Sequence, residues 1–409
     1  MAADLSTDCC IAGGGPAGMM LGYILARAGV RVVVLEKHAD FFRDFRGDTV
    51  HPSTMEAMSE LGLLERFLQR PHDEISQLSA QIGETVVKVA DFGHLPTHAR
   101  FIAMMPQWDF LDFLREEGRR FPNLDVRMRA EAVDVIRGGG RVTGVKVQGP
   151  DGAYDIAAKL VVAADGRTST LRDKAGLTPR AFGTPIDVLW MRLPRRAGDE
   201  NLPLGRMDAG HMLVMIPRGD YFQCAFVVPK GGYDAIRDRG LPAFRAQIAQ
   251  AAPMMADRVE QLASWDEIKL LTVTVDRLEQ WWTPGLAFIG DAAHAMSPVG
   301  GVGINFAIAD AVAAANILAE PLIADRVTDA VLGGIQRRRE GPVRLMQAIQ
   351  TAIQNRVLAP VLKADRPLTV PWPTWVSHPP MSMTATRGPS AAASSPPAAS
   401  AIGRNAPGP

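Results

Sequence analysis

Only three cysteines occur in 409 residues. Cys9 and Cys10 are neighbours in an apolar run and Cys224 stands alone, so the chain carries no disulfide framework, no CxxC pair and no Cys/His cluster at metal spacing. Such scarcity suits a reducing compartment, and a cytoplasmic location is expected. An excess of charge is also missing: 44 Lys and Arg balance 44 Asp and Glu, with an isoelectric point near 7.1. With no global positive field, a nucleic-acid binder working through a basic patch is set aside. The first residues, MAADLSTD, are acidic and polar where a secretory signal needs a basic start and an apolar stretch. A long apolar run is lacking too. The most apolar helix candidate, Phe306 to Leu322, is interrupted by Asp310, Asn316 and Glu320, and no transmembrane segment is expected.

What is present is an ordinary globular composition, 47% hydrophobic and 22% charged, at a length that accommodates two or three packed parts. Thr7 to Ala12 reads as a buried strand, Pro16 to Ala28 as a helix and Arg31 to Leu35 as a second buried strand, together a βαβ unit. Helical patterns follow over Ser53 to Phe67 and Gln107 to Arg120, with β-like residues between them from Leu78 to Val89. Gly138 to Gly140 separates two β-prone runs and predicts a hairpin turn. Leu160 to Ala164 and Leu286 to Ile289 read as further buried strands. From about Pro179 to Val275 short strands and turns dominate, with one helix over Leu241 to Gln250, and the chain then turns helical to about Leu362. In the last helical stretch, Leu345, Ile349 and Ile353 recur at core spacing, which favours a packed helix over a membrane-surface one. The tail beyond about Arg387 is rich in Ser, Ala, Pro and Gly and is expected to be disordered.

Three motifs carry chemistry. Gly13, Gly15 and Gly18 form a GxGxxG between a strand and a helix, with Pro16 and Ala17 inside it. Gly13 permits the tight turn, Gly15 lets a pyrophosphate approach the backbone, and Gly18 lets the helix pack on the strand. Glu36, followed by Lys37, ends the second strand, where a carboxylate accepts hydrogen bonds from an adenosine ribose. Late in the chain, Gly290 and Asp291 close a strand and are followed by His294, Pro298, Gly300, Gly301, Gly303, Ile304 and Asn305. The carboxylate there suits a ribityl hydroxyl, and the helix start beyond it suits the negative charge that a reduced flavin ring gains. Between the two lies Asp165-Gly166-Arg167-Thr168-Ser169-Thr170-Leu171-Arg172, another strand-to-helix turn. A structural pairing of Asp165 with Arg172 is one reading of that turn.

Taken in order, GxGxxG, DGxxSxxR and GDAAHxxxPxxGxGxN resemble the single-component flavin-dependent aromatic hydroxylases, the para-hydroxybenzoate hydroxylase-like class, over roughly residues 5 to 345. The resemblance implies that Glu36 binds the adenosine ribose of FAD, that Asp291 holds the ribityl or pyrophosphate region, and that Pro298 and Gly300 to Asn305 line the flavin ring. Arg46 and Gln107 are similar to the family's two flavin-contacting residues after the second strand and at the start of the following helix. It also implies NADPH or NADH as a transient co-substrate, O2 as oxidant, and hydroxylation of a phenol- or quinol-like small molecule through a flavin C4a-hydroperoxide. No second GxGxxG in strand context provides a separate nicotinamide domain. No catalytic side chain is assigned; His51, His211, Tyr221 and Tyr233 read as structural or solvent-facing, and no metal is expected. A flavin-dependent alkene reductase and a non-catalytic flavin-binding protein remain the alternatives.

The expected fold is α/β: a Rossmann-like FAD-binding domain, an inserted β-sheet substrate domain and C-terminal helices. Its FAD-binding parts are expected at 1–75, 106–180 and 281–330. Substrate-domain edge strands are expected at 76–105 and the substrate sheet at 181–280. A helical segment over 331–365 and an irregular tail over 366–409 complete the chain, which is expected to act as a monomer or homodimer with at most weak peripheral membrane contact.

Overall fold

The run Val32–Glu36, VVVLE, is buried at every position, which alternating amphipathic strands never are. Such a strand needs cover on both faces, and it sits inside a mostly parallel sheet. The order across that sheet is Trp282–Thr283, Leu286–Phe288, Gly152–Ala163, Leu5–Ala12, Val32–Glu36 and Leu124–Met128. The computed structural model describes residues 4–42, 49–199, 204–366 and 368. Arg46 and nearly all of the C-terminal tail therefore lie outside the described residues.

The helix Pro16–Arg27 crosses from the first strand to the second and packs on the helices Gln107–Gly118 and Gly303–Ile323. On the far side, the hairpin of Glu131–Gly138 and Arg141–Gly149 pairs with Gly152–Ala163. Gly139 and Gly140 both take positive φ at its turn, as the glycine run predicts. The helical pattern over Ser53 to Phe67 is in fact two helices, Pro52–Glu60 and Leu64–Leu68. Gly62, at φ +71°, breaks it.

A seven-stranded sheet carries the middle of the chain, in the order Lys269–Leu271, Ile186–Pro194, Tyr221–Pro229, His211–Arg218, Leu204–Asp208, Gln77–Ile82 and Thr85–Asp91. Its two faces separate by the period of two. Leu189, Met191 and Leu193 face a core with Phe226, Phe244 and Ile248, while Val188 and Trp190 face Val299 and, from the last helical segment, Leu358.

One helix region among the described residues, Val299–Ile323, is long and apolar enough to cross a membrane, and half of its apolar window is buried inside the protein. Asp310, one of the two charges that interrupt it, is fully buried. The last long helix, Asp329–Ile353, packs as its spacing suggests, with Ile353 against the cluster of Val188 and Val227, but Leu345 is 64% exposed and the fully buried residues toward its end are Val343, Met346, Gln347 and Gln350. Beside apolar Val343 and Met346, the part of that helix facing the loop 295–299 carries glutamines, because the loop offers backbone groups rather than side chains.

Candidate active site

Each of the three motifs follows a strand of the parallel sheet at the same end, so the fold brings together residues about 120 to 290 positions apart. Gly13 N–H donates to Leu35 O at 2.8 Å, and Ala164 N–H donates to Ala12 O at 2.7 Å. Gly13 sits at φ +106°, and a Cβ there would lie 2.3 Å from Ala164 O. At Gly18 a Cβ would lie 1.9 Å from Gly13 O, so the helix reaches the turn only because that residue has no side chain. Gly15 differs: nothing comes within 4 Å of its Cβ position. An open backbone at the N-cap of a helix beginning Pro16-Ala17, with its unspent amides, is a cradle for a pyrophosphate.

Glu36 is buried, and its carboxylate accepts from Gly14 N–H at 3.2 Å and His38 N–H at 2.9 Å. Those two bonds aim it beside the glycine turn, where an adenosine ribose belongs. Lys37, next in the chain, has its side chain about half exposed and its amine 4.0 Å from Glu131.

Asp165 follows the strand Gly152–Ala163. Its Oδ2 accepts from Leu171 N–H at 3.2 Å, and its buried Oδ1 has no partner. Burial raises its pKa against the opposing pull of Ser169, the Leu171 amide and Arg172. Arg172 does not bond it directly, as a turn-stabilising pair would. Its guanidinium instead donates to Ala292 O at 3.1 Å and Arg167 O at 2.5 Å, lacing the second motif to the third. Arg167 Nε in turn donates to Asp291 Oδ2 at 2.8 Å, with both side chains about a third exposed.

Gly290, at φ +59°, gives its N–H to Asp310 Oδ2 at 3.0 Å. That same oxygen meets His294 Nε2 at 2.6 Å, while Arg339 Nε donates to Oδ1 at 2.6 Å. Burial would raise the Asp310 carboxyl, but His294 and Arg339 outweigh it and hold its pKa below the usual range. The His294 ring lies tilted against Trp281 at 4.8 Å, and Arg339 lies over Phe306 at 5.5 Å. This buried trio anchors the strand end that carries Asp291. Motif reading missed Asp310 and Arg339, although a lone carboxylate inside an apolar helix signals a buried partner.

Beyond Pro298 the chain makes a tight turn with Gly300 at φ +82° and Gly301 at φ +60°, and Gly303 starts the long helix. The first-turn amides of Gly303, Ile304 and Asn305 face the open end with the positive pole of the helix dipole behind them. The Asn305 side chain is spent on the protein. Its Oδ1 accepts from His51 N–H and Thr54 Oγ1, and its Nδ2 donates to Thr49 O and Gly301 O. Only its backbone is left for a ring. Thr49–Val50, held against the turn in this way, pairs with Ile102–Met104, which leads through Pro106 into Gln107. Of the four residues weighed as bases, His51 alone adjoins this turn. Burial lowers its pKa to about 4, leaving a neutral ring whose Nε2 has no partner. Tyr221 lies under Arg192, Tyr233 packs edge-on to Trp265, and His211 lies against Phe226.

The open cradle at Gly15, the buried Glu36 beside it, the unpartnered Asp165 oxygen and the turn at Gly303 are the kinds of group that the pyrophosphate, ribose and ring of FAD require. Residues 6–340 match the family model described as FAD binding domain. The 6-methylpretetramide 4-monooxygenase of Streptomyces rimosus is 33% identical over 355 residues, covering 86% of this chain and 84% of that one. A digeranylgeranylglycerophospholipid reductase of Methanopyrus kandleri is 25% identical over 354 residues, 82% of this chain and 87% of its own. Among solved structures, a probable FAD-dependent monooxygenase from Pseudomonas aeruginosa superposes with a TM-score of 0.75 at 21% identity, over 88% of this chain and 98% of that one. The chain belongs to the FAD-binding-domain family, and within it to the flavin-dependent aromatic monooxygenases.

Proposed function

We infer that the protein is an FAD-dependent monooxygenase that uses NAD(P)H and O2 to hydroxylate a phenol- or quinol-like aromatic molecule. The observation that carries this reading is the meeting of all three motifs at the same ends of parallel strands, with Val299 of the third packed against Val188 and Val227 of the seven-stranded sheet. Bound FAD supplies the hydride acceptance and oxygen activation; the chain's residues hold it, orient the substrate and exclude water. We assign Gly13, Gly15, Pro16, Ala17 and Gly18 to the pyrophosphate, Glu36 to the ribose, Asp291 to the ribityl chain, and Pro298 to Asn305 to the ring. Gln107 and Asp165 border the ring and pyrophosphate. Identity to the monooxygenase exceeds identity to the digeranylgeranylglycerophospholipid reductase, which favours oxygenation over reduction. Three buried, unpaired thiols agree with a cytoplasmic location, and we propose that the enzyme works there as a monomer or homodimer.

Labelled ¹⁸O₂ tests the chemistry. NAD(P)H oxidation in the presence of 6-methylpretetramide or simpler phenols and quinols is expected to place label in the product. Absence of label across the panel, with anaerobic reduction of an alkene at stoichiometric electron use, overturns the assignment in favour of the reductase.

Asp291→Ala is expected to weaken FAD binding about ten- to a hundredfold, the loss of a charge-assisted hydrogen bond of about 1.5–3 kcal/mol. Titration of the folded apoprotein measures it. Unchanged affinity would make Asp291 only the partner of Arg167.

A further inference from the structure

The helix Asp329–Ile353 and the turn after it present glutamines at 336, 347, 350 and 354, spaced by eleven, three and four residues and so on one face. Each is bonded to the segment 276–299. Gln336 accepts from Trp281 N–H at 3.0 Å and donates to Glu279 O at 2.8 Å. Gln347 donates to Asp276 O at 2.7 Å and Ala295 O at 3.0 Å, and accepts from Arg277 at 2.6 Å. Gln350 uses its whole amide: Oε1 accepts from Ser297 N–H at 3.1 Å, while Nε2 donates to Ser297 O at 2.9 Å and Val299 O at 2.8 Å. Gln354 donates to Ser297 Oγ, which itself accepts from Val299 N–H at 3.2 Å. Gln347, Gln350 and Gln354 are all buried.

Pro298 has no N–H, so the peptide groups of Ser297 and Val299 are what can hold it. Gln350 takes three of them, in the manner of a neighbouring strand. Val299 packs into the cluster of Val188, Val227 and Leu358. A π-helical turn, Gln354–Leu358, follows Gln354 and leads to Leu358, which packs against the seven-stranded sheet.

We propose that Gln350, seconded by Gln354, is a positioning residue that fixes the Pro298 wall, so that this C-terminal helix sets the geometry in which flavin ring and substrate meet. The proposal rests on the reading above that this turn lines the flavin.

Gln350→Met keeps the side-chain shape and removes all three bonds. Hydrogen exchange on the apoprotein is expected to speed up at least about tenfold over 297–303 while the global melting temperature stays near that of the parent. FAD is expected to bind about tenfold more weakly and with an altered visible band. Gln354→Met, which removes only the bond to Ser297 Oγ, should shift both readouts in the same direction by about threefold, and it decides the matter if Gln350→Met does not fold. A folded variant with parental exchange over 297–303 and parental FAD affinity overturns the proposal. A parent protein that binds no FAD overturns the flavin reading instead, and the exchange data still judge the positioning role.

Discussion

Asp310→Ala is expected to lower stability by about 3–5 kcal/mol, because it leaves the Arg339 charge, the His294 ring and the Gly290 N–H buried and facing nothing. Against a typical total of about 5–15 kcal/mol this is severe. Asp310→Asn keeps the shape and an acceptor, and should lose less. The pH dependence follows from the lowered carboxyl. The stabilisation is complete above the ordinary carboxylate range near 4 and is lost as pH falls through the lower native value. Urea unfolding from pH 7 down to pH 3 measures both effects. The alanine variant should show a flatter acid limb than the parent, and a loss below about 1 kcal/mol at pH 7 would mean the trio does not hold the Asp291 strand end.

The second large effect is expected at Gly15. Its backbone is extended, at φ −72° and ψ −176°, and the space where a side chain would grow is open. Gly15→Val should therefore fold with little change in melting temperature. It should nevertheless bind FAD at least about a hundredfold more weakly, because the branched side chain occupies the approach of the pyrophosphate. Gly18→Ala makes the contrast: its methyl meets Gly13 O, so the damage falls on the fold itself. Circular dichroism with FAD titration separates the two. A Gly15→Val protein that binds FAD like the parent would place the pyrophosphate elsewhere.

Much of the site was legible because its parts are local. A glycine that must take positive φ, a helix that must approach a strand and a carboxylate at a strand end are constraints within a few residues of chain, so Gly13, Gly18, Glu36 and Asp291 stand out. The hairpin at Gly139 and Gly140 is of the same kind. Periodicity also worked where the neighbour was an apolar surface, as for the buried run Val32–Glu36 and the alternating strand Ile186–Pro194.

It fell short where the neighbour was a backbone. The spacing of Leu345, Ile349 and Ile353 points to an apolar seam, of which Ile353 packs and Leu345 is exposed; toward the loop 295–299 the N–H and C=O groups demand amides, and Gln347 and Gln350 meet them. Asn305 is a similar case: its place in the motif suggests a hand on the flavin, and its side chain is used up stitching residues 49–54 to the turn.

The sequence by itself determined the parallel-sheet architecture, the glycine cradle and the family, since each depends on short-range backbone geometry written in consecutive residues. The tertiary structure alone decided which charges are buried together and which side chains work for the cofactor rather than for the loop beside it. Asp310, His294 and Arg339 are 16 and 29 residues apart along the chain, and only packing brings them within hydrogen-bond reach, in an interior where an unpaired charge is too costly to keep.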